Sequence, residues 1–343
     1  MRALAIEDQN GPSSARVMQV PDPTPGPGEV VVRVHAAALN HLDLWTLSGD
    51  LGIELDFPYV LGADGAGVVV AVGDDVTGLK EGDRVAINPA LACRVCEFCR
   101  AGEHSTCARF EMLGEHRDGT IAEYVKVPAV NCFPFPENLS FEQAAALGVT
   151  FITAYRMLFT RARMEPGEWI LVTGIGGGLA LSLFQLARPL AGRIFVTSSS
   201  DAKLERAASM GADGGVNYKD DDVGKGVRRL TAKRGVDLAA DSAGGPSVDQ
   251  ALRALRKGGR LVIAGATAGR TAEFDVRRLF WNQLQIIGST MGSDADVSDM
   301  LRYVAGSGIE PLIDRVYPLD EGPDAIAYLA SGEQFGKIVI TVA

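Results

Sequence analysis

The chain has 343 residues, with 33 Lys+Arg against 43 Asp+Glu, for a formal net charge of −10. Hydrophobic residues make up 47% and charged residues 22%, a globular composition. At ~100–200 residues per domain the length suggests two or three domains, each able to bury a core without disulfides. The acidic balance and the lack of any basic run exclude a general nucleic-acid binder and a protein that docks on anionic membranes.

The first residues, MRALAIEDQN, contain no apolar h-region, so they do not read as a secretory signal. A disulfide framework is then not expected, and the reading is cytoplasmic, with reduced thiols. Residues 1–147 are rich in Val, Gly and Pro and poor in helical periods. Glu29 to Val34, Gly67 to Val72 and Arg84 to Ile87 read as short strands, and Pro21–Gly28 as a stiff surface loop. This part reads as an irregular β-rich domain.

Four of the five cysteines follow, as Cys93-x2-Cys96-x2-Cys99-x7-Cys107. Soft thiolates at this density suit a tetrahedral Zn²⁺, and four Cys leave no open coordination position, so the site is structural. An iron–sulfur cluster is the alternative. Cys132 stands apart and receives no role.

From Trp169 the pattern alternates. Trp169–Thr173 reads as a strand, Leu179–Leu190 as a helix and Arg193–Ser198 as a strand. Asp201 caps a helix running to Met210. A strand near Val216, a helix near Val223–Thr231 and the strand Val236–Asp241 come next. A helix from Ser247 to Arg256 then ends at Gly258-Gly259, before strands at Arg260–Ala264 and Gln285–Gly288. Six strands with interleaved helices imply an α/β fold with a doubly wound parallel sheet, over residues 148–288. Trp169 to Ala187 lacks charge, but the glycines in its middle argue for strand, turn and helix over a membrane span. Residues 289–343 return to strand character and are expected to pack back on the first domain.

Gly174-Ile175-Gly176-Gly177-Gly178-Leu179-Ala180 sits between a strand and a helix, the context of a dinucleotide fingerprint. Strict G-x-G-x-x-G spacing is not met. Gly174, Gly177, Gly178 and Leu179 are the candidates for the phosphate cradle at the helix N-terminus. An NAD site wants an acidic residue ~20 positions on. Here that region offers Ser198, Ser199 and Ser200, then Lys203, which suit the 2′-phosphate of NADP(H); Asp201 is the acidic counter-candidate, set aside because its place before a helix reads as a cap.

The four-cysteine lobe before such a domain resembles the medium-chain dehydrogenase/reductase family. Further carriers are Asn40-His41-Leu42-Asp43, Leu61-Gly62-Ala63-Asp64-Gly65-Ala66-Gly67-Val68, Thr153-Ala154-Tyr155 and Phe335-Gly336-Lys337. The resemblance covers essentially the whole chain. It implies a GroES-like catalytic domain carrying a zinc lobe over residues 91–110, a Rossmann domain, and an active site in the cleft between them. Members with this lobe usually also hold a catalytic zinc, and this sequence departs from them at each ligand. Asn40 stands for the first Cys, Ala63 for the His of Gly-His-Glu, and Val149 or Gly148 for the third ligand. Leu42 replaces the proton-relaying hydroxyl. His41 with Asp43 or Asp64 can be imagined as replacement ligands.

Asn40-x-x-Asp43-x-Trp45 resembles the quinone oxidoreductase branch, which works without metal and contacts NADPH through residues matching Lys203 and Tyr218. Leu51 departs from the tyrosine that this branch often carries, and no tyrosine proton donor of the enoyl-thioester reductases is present. The resulting expectation is NADPH-dependent hydride transfer to a small-molecule quinone or α,β-unsaturated carbonyl. Asn40 would be the catalytic polar group, Trp45 and Asp64 would line the pocket, and Thr153 would belong to the cofactor site. The alternatives are a zinc-type alcohol or aldehyde dehydrogenase and a non-catalytic NADPH-binding protein. The resemblance further implies a homodimer, with no nucleic-acid or membrane partner.

Overall fold

A computed structural model describes residues 1–342. The chain divides into two compact units, one made of residues 1–152 with the segment from Gly292 onward, the other of Thr153–Met291.

In the first unit the strand Glu29–Ala38 is central. It runs antiparallel to Asp64–Val72, Tyr124–Pro128 and Lys337–Thr341. The sheet continues through Arg84–Ile87 to Cys132–Phe133 on one side and Ile313–Pro318 on the other. A smaller sheet joins Arg2–Ile6 to Arg16–Gln19 and Tyr59–Val60. Val30, Val32 and Val34 alternate inward with Leu4, Ile6, Leu61, Ile121, Ile338 and Ile340, all essentially inaccessible. Each such side chain contributes about 1.5–3 kcal/mol by leaving water. The tail therefore belongs to this unit because Ile338, Val339 and Ile340 fill its core. It is less strand-like than its sequence reads: helices Asp294–Ser307 and Gly322–Ser331 occupy much of it.

The second unit is a six-stranded parallel sheet. In space its order is Gly214–Asn217, Arg193–Ser198, Trp169–Val172, Val236–Asp241, Leu255–Ile263, Gln285–Gly288. That is 3-2-1-4-5-6, the dinucleotide-binding order, with the reversal between Trp169–Val172 and Val236–Asp241. Several helices of this unit differ slightly from their sequence readings. The helix after the glycine turn spans Gly178–Ala187. The next is Asp201–Ser209, and its cap is Ser200, whose hydroxyl accepts from Lys203 N; Asp201 lies inside the first turn. The helix from Ser247 stops at Ala254, because Leu255 already pairs with Val236 in the sheet. The ladder then shifts register and resumes at Arg260 opposite Leu238. Among the described residues, no helix is long and apolar enough to cross a membrane.

Candidate active site and metal centre

The glycine turn follows the first strand of the parallel sheet, at the strand-order reversal. Gly174 and Gly176 have φ of +70° and +118°, and Gly177 is extended at the helix N-cap with no side chain capping it. The helix therefore presents uncapped N–H groups at its positive end, the arrangement that holds a phosphate. A Cβ on Gly176 would lie 2.8 Å from Cδ of Lys203 and 3.3 Å from its Nζ. The lysine thus lies across the turn, and the φ of +118° at Gly176 is what favours glycine there. Gly178 and Leu179 open the helix beside it. Tyr218 is exposed, and its N–H donates to Ser198 O. Ser199 is half-buried, whereas Ser198 is buried and its hydroxyl accepts from Ser200 N at 3.2 Å. Asp201 accepts from Asn217 Nδ2 at 2.9 Å. Thr153 is buried and its hydroxyl donates to the Met291 sulfur.

Sequence reasoning missed Asp241, the last residue of its strand. Its buried carboxylate accepts from the hydroxyls of Thr173 (2.8 Å) and Ser247 (2.6 Å) and from Gly244 N (2.7 Å). It ties the end of the fourth strand to the start of the glycine turn. A carboxylate closing the otherwise apolar run Val236–Ala240, interrupted only at Asp237, was the available signal.

In the first unit Asn40, Asp43, Asp64 and Lys337 form one buried network. Lys337 is 4% exposed, Asn40 6%, and both aspartates 0%. The Lys337 ammonium donates to Leu39 O (2.7 Å), Asn40 Oδ1 (2.7 Å) and Asp64 Oδ2 (2.9 Å), using all three of its hydrogens. Asn40 Nδ2 donates to Asp64 Oδ2 at 2.9 Å, and Val149 N donates to Asp64 Oδ1 at 2.6 Å. Asp43 opens the helix His41–Ser48 and accepts from Asn40 N (2.7 Å) and Gly62 N (3.1 Å).

Two sequence expectations change here. Asp64 lines no open pocket, since its carboxylate is sealed and spent on three donors. Asn40 carries no free polar atom toward a substrate, since its amide is divided between Asp64, Ala38 O and Lys337. Lys337, quoted from the tail only as a mark of family, is the group that organises the site. Trp45 is half-buried, with its ring edge-on to His41 at 5.1 Å.

The same network bears on a metal at this place. Ala63 is a buried methyl, and a Cβ on Gly148 would fall 2.1 Å from Asp64 Oδ1. A ligating side chain at 148 is therefore excluded while Asp64 keeps this position. Neither His41, Asp43 nor Asp64 enters a metal-sized cluster among the described residues.

Burial pushes the Asp43 carboxyl up to about 7; Asn40 N–H and the Lys337 ammonium oppose this, and the Asp64 carboxylate adds to it. An unfolded Asp titrates near ~3.9. Between these values the folded chain keeps a proton that the unfolded chain has released. Stability is therefore expected to fall as pH rises from about 4 to about 7 and to level off above. Denaturant midpoints at about pH 5 and about pH 8 test this, and Asp43→Asn should flatten the slope between them.

The cysteine lobe brings its four Sγ atoms within 4.8 Å of one another, with separations of 3.9 Å (Cys93–Cys99), 3.5 Å (Cys96–Cys99) and 3.9 Å (Cys96–Cys107). A tetrahedron with Zn–S arms of ~2.3 Å has edges of roughly 3.8 Å, so the donor set fits that ion. Cys107 Sγ accepts from Cys93 N (3.2 Å) and Arg109 N (3.3 Å). The backbone N–H groups of Val95 and Cys96 hold the Cys93 thiol down to about 5. At Cys93 these N–H groups favour the thiolate, the form that binds metal, whereas burial pushes the Cys99 thiol up to about 12. Cys132 is buried elsewhere, and burial pushes its thiol up to about 12.

Comparison with known proteins gives matches over both units. Residues 26–137 match the alcohol dehydrogenase GroES-like domain, and residues 178–306 match the zinc-binding dehydrogenase family. The chain is 32% identical over 345 residues to an alcohol dehydrogenase of Geobacillus stearothermophilus, covering 100% of each. A crystal structure of an NAD-dependent alcohol dehydrogenase superposes with a TM-score of 0.93 at 42% identity, covering 100% of both chains. A crotonyl-CoA carboxylase/reductase in complex with NADP superposes with a TM-score of 0.91 at 25% identity, covering 100% of this chain and 94% of the other.

Proposed function

This chain belongs to the medium-chain dehydrogenase/reductase family, in its zinc-type, alcohol dehydrogenase-like form, and from that premise we propose that it transfers hydride from NADPH to a quinone or an α,β-unsaturated carbonyl without a catalytic metal. That it is an NAD(P)-dependent oxidoreductase acting on a small molecule follows from its relatives. The observation that carries the finer reading is the Asn40–Asp64–Lys337 network. It stands where the resemblance puts metal ligands, with Asp64 against the bare Cα of Gly148. A carbonyl that is not conjugated needs a Lewis acid or a proton donor for its oxyanion, and the donors of this network are already spent on one another. A quinone or enone spreads the developing charge itself.

Bound NADPH supplies the hydride from its nicotinamide ring. The turn at Gly174, Gly176 and Gly177 and the start of the helix at Gly178 and Leu179 hold its pyrophosphate. Lys203, with Ser199 and Tyr218, takes the 2′-phosphate, while buried Ser198 shapes the strand end. Thr153 supports the nicotinamide end and Trp45 supplies an apolar wall for the acceptor. Asn40 acts as a positioning residue: it holds Asp64 and Lys337 in place and touches no substrate. Proximity and orientation are then the main contribution of the protein to the barrier. The cysteine lobe carries one structural zinc through Cys93, Cys96, Cys99 and Cys107.

The test is consumption of NADPH and NADH over a panel of quinones, enones and simple alcohols, together with metal analysis. The expected result is one zinc per chain, with turnover of quinones or enones and a preference for NADPH. Two zinc ions per chain, or turnover of alcohols alone, would favour an alcohol dehydrogenase, the reading that the relatives' names support. Lys203→Ala is expected to raise the KM for NADPH on the order of ten-fold, by removing a charge-assisted bond, and to leave that for NADH nearly unchanged. Equal losses with both cofactors would remove the lysine from specificity. A homodimer is supported by the free edge strand Gln285–Gly288 and by exposed Phe280 and Trp281 on the helix before it. Light scattering of the purified chain tests that, and the reduced thiolates of the lobe suit a cytoplasmic location.

A further inference from the structure

The nucleotide-binding unit holds a second concavity, which shares no lining residue with the glycine turn, Ser198, Lys203 or Tyr218. Its volume is about 790 Å³, within the size range of small-ligand sites. Six of its nine lining residues are Lys or Arg and one, Asp222, is acidic, in a chain whose net charge is −10.

The six cations divide by what they do. Arg228 is a fixed strut, donating to Arg253 O (3.2 Å), Lys233 O (3.0 Å) and Leu255 O (2.7 Å). Arg253 is held by Asp249 (2.7 Å) and Asp222 (2.9 Å), and Arg229 by Asp221. Lys225, Lys233 and Arg278 line the same wall and form no salt bridge among the described residues. Three cations without a salt bridge therefore stand beside a guanidinium fixed by three carbonyls and two more held by carboxylates.

The wall is also built at a cost in backbone energy. Ala232 and Lys233 are consecutive non-glycine residues at φ +48° and +68°. Each left-handed residue of this kind costs about 1 kcal/mol or more and persists only where its surroundings hold it. Here the N–H groups of Lys233 and Ala232 donate to Arg228 O (2.7 Å) and Arg229 O (3.2 Å). Across the groove the helices Val223–Leu230 and Ser247–Ala254 meet at Gly224, where a Cβ would lie 2.5 Å from that of Arg253. The cations are thus concentrated in a rigid, concave frame.

We propose that this groove binds a small polyanion carrying two or more phosphate groups, at a site separate from the dinucleotide cradle. Phosphate oxygens accept from ammonium and guanidinium donors in charge-assisted bonds, and linked phosphates present enough oxygens to engage several cations at once. An inorganic polyphosphate and a nucleoside diphosphate share this chemistry.

The test uses the full-length protein saturated with NADPH, so that the glycine turn is filled. Tripolyphosphate and ADP are titrated calorimetrically at about 50 mM salt, where surface charges are weakly screened. Saturable binding at one site per chain is expected, weaker by about ten-fold or more in the variant K225Q/K233Q/R278Q. Equal affinity for both probes identifies phosphate alone as the ligand, and tighter ADP binding adds a contact from the nucleoside. The thermal midpoint of the unliganded variant should not fall, because the substitutions remove like charges and break no salt bridge. Absence of saturable binding, unchanged affinity in the triple variant, or loss of binding in Lys203→Ala would overturn the proposal.

Discussion

Lys337→Met is expected to destabilise the first unit by about 3–5 kcal/mol, the usual cost of removing one partner from a buried ion pair. Met matches the lysine in length, so the change removes charge and hydrogen bonds more than volume. It leaves the carboxylate of Asp64, fully out of water, with no counter-charge, and takes three hydrogen bonds from Leu39 O, Asn40 and Asp64. Asp43 should then titrate still higher, since the Lys337 ammonium now holds it down. A fall in Tm on the order of 10 °C is the direct readout. Adding Asp64→Asn to Lys337→Met should recover part of the loss, because the stranded charge disappears with its partner. The double-mutant cycle measures that coupling. A neutral Lys337→Met would show that water or another cation reaches Asp64, and the sealed-site reading would fail with it.

Removing the lobe metal should have an effect of similar or greater size. Structural zinc contributes apparent binding free energies of about 10–16 kcal/mol in small peptides, and part of that is folding energy here. Without an ion, four thiol groups within 4.8 Å of one another must be held together by the short helix Glu97–Arg100, a turn at His104–Thr106 and a left-handed Arg94. None of these can stand alone. Cys99→Ser, whose parent thiol is buried, is expected to release the zinc, expose residues 93–107 to proteolysis and lower Tm by about 10 °C or more. Arg94 pairs with Asp294, and Asp294 N donates to His104 Nδ1 at 3.3 Å, so faster hydrogen exchange should also reach the start of the helix Asp294–Ser307. Affinity for the nicotinamide dinucleotide should survive, because the glycine turn is held by bonds within the other unit. A metal-free Cys99→Ser variant as stable as the parent would show that the lobe is self-supporting.

These two sites differ in how far the sequence exposes them. The cysteine lobe and the glycine turn are short-range objects. Four ligands within one loop, or a strand, a turn and a helix in succession, are made by neighbours along the chain, so spacing and residue type suffice to recognise them. The six alternating elements were likewise legible, because buried parallel strands read as apolar runs. Errors there were of one to five residues at element ends, where Ser200 capped in place of Asp201 and Leu255 joined the sheet five residues early, and the short helix Val276–Trp281 was missed. Cap choice depends on which side chain reaches the free N–H, and a strand can begin wherever a partner strand lies open.

The Asn40 site was legible only as a gap. The sequence shows that metal ligands are missing, but not what stands in their place. Strand register decides that. Val339 pairs with Ala38, so two residues further along the antiparallel ladder Lys337 comes beside Asn40, while Asp64 pairs with Ala38 on the other side. Residues separated by 273 positions thereby share one buried hydrogen bond. In the open chain Asn40 and Asp64 are polar residues available to a substrate; in the fold each is consumed by the other and by a lysine from the tail.

By itself, then, the sequence determined the four-cysteine spacing that suits zinc, the glycine turn between a strand and a helix, and the alternation of strands and helices that makes a parallel sheet, because each is written in local spacing and periodicity. Only the tertiary structure decided that the remaining polar residues form a closed ionic network and that Lys203 lies over Gly176. Those outcomes depend on long-range register and on burial, which turns an exposed polar group into one that must find its partner inside.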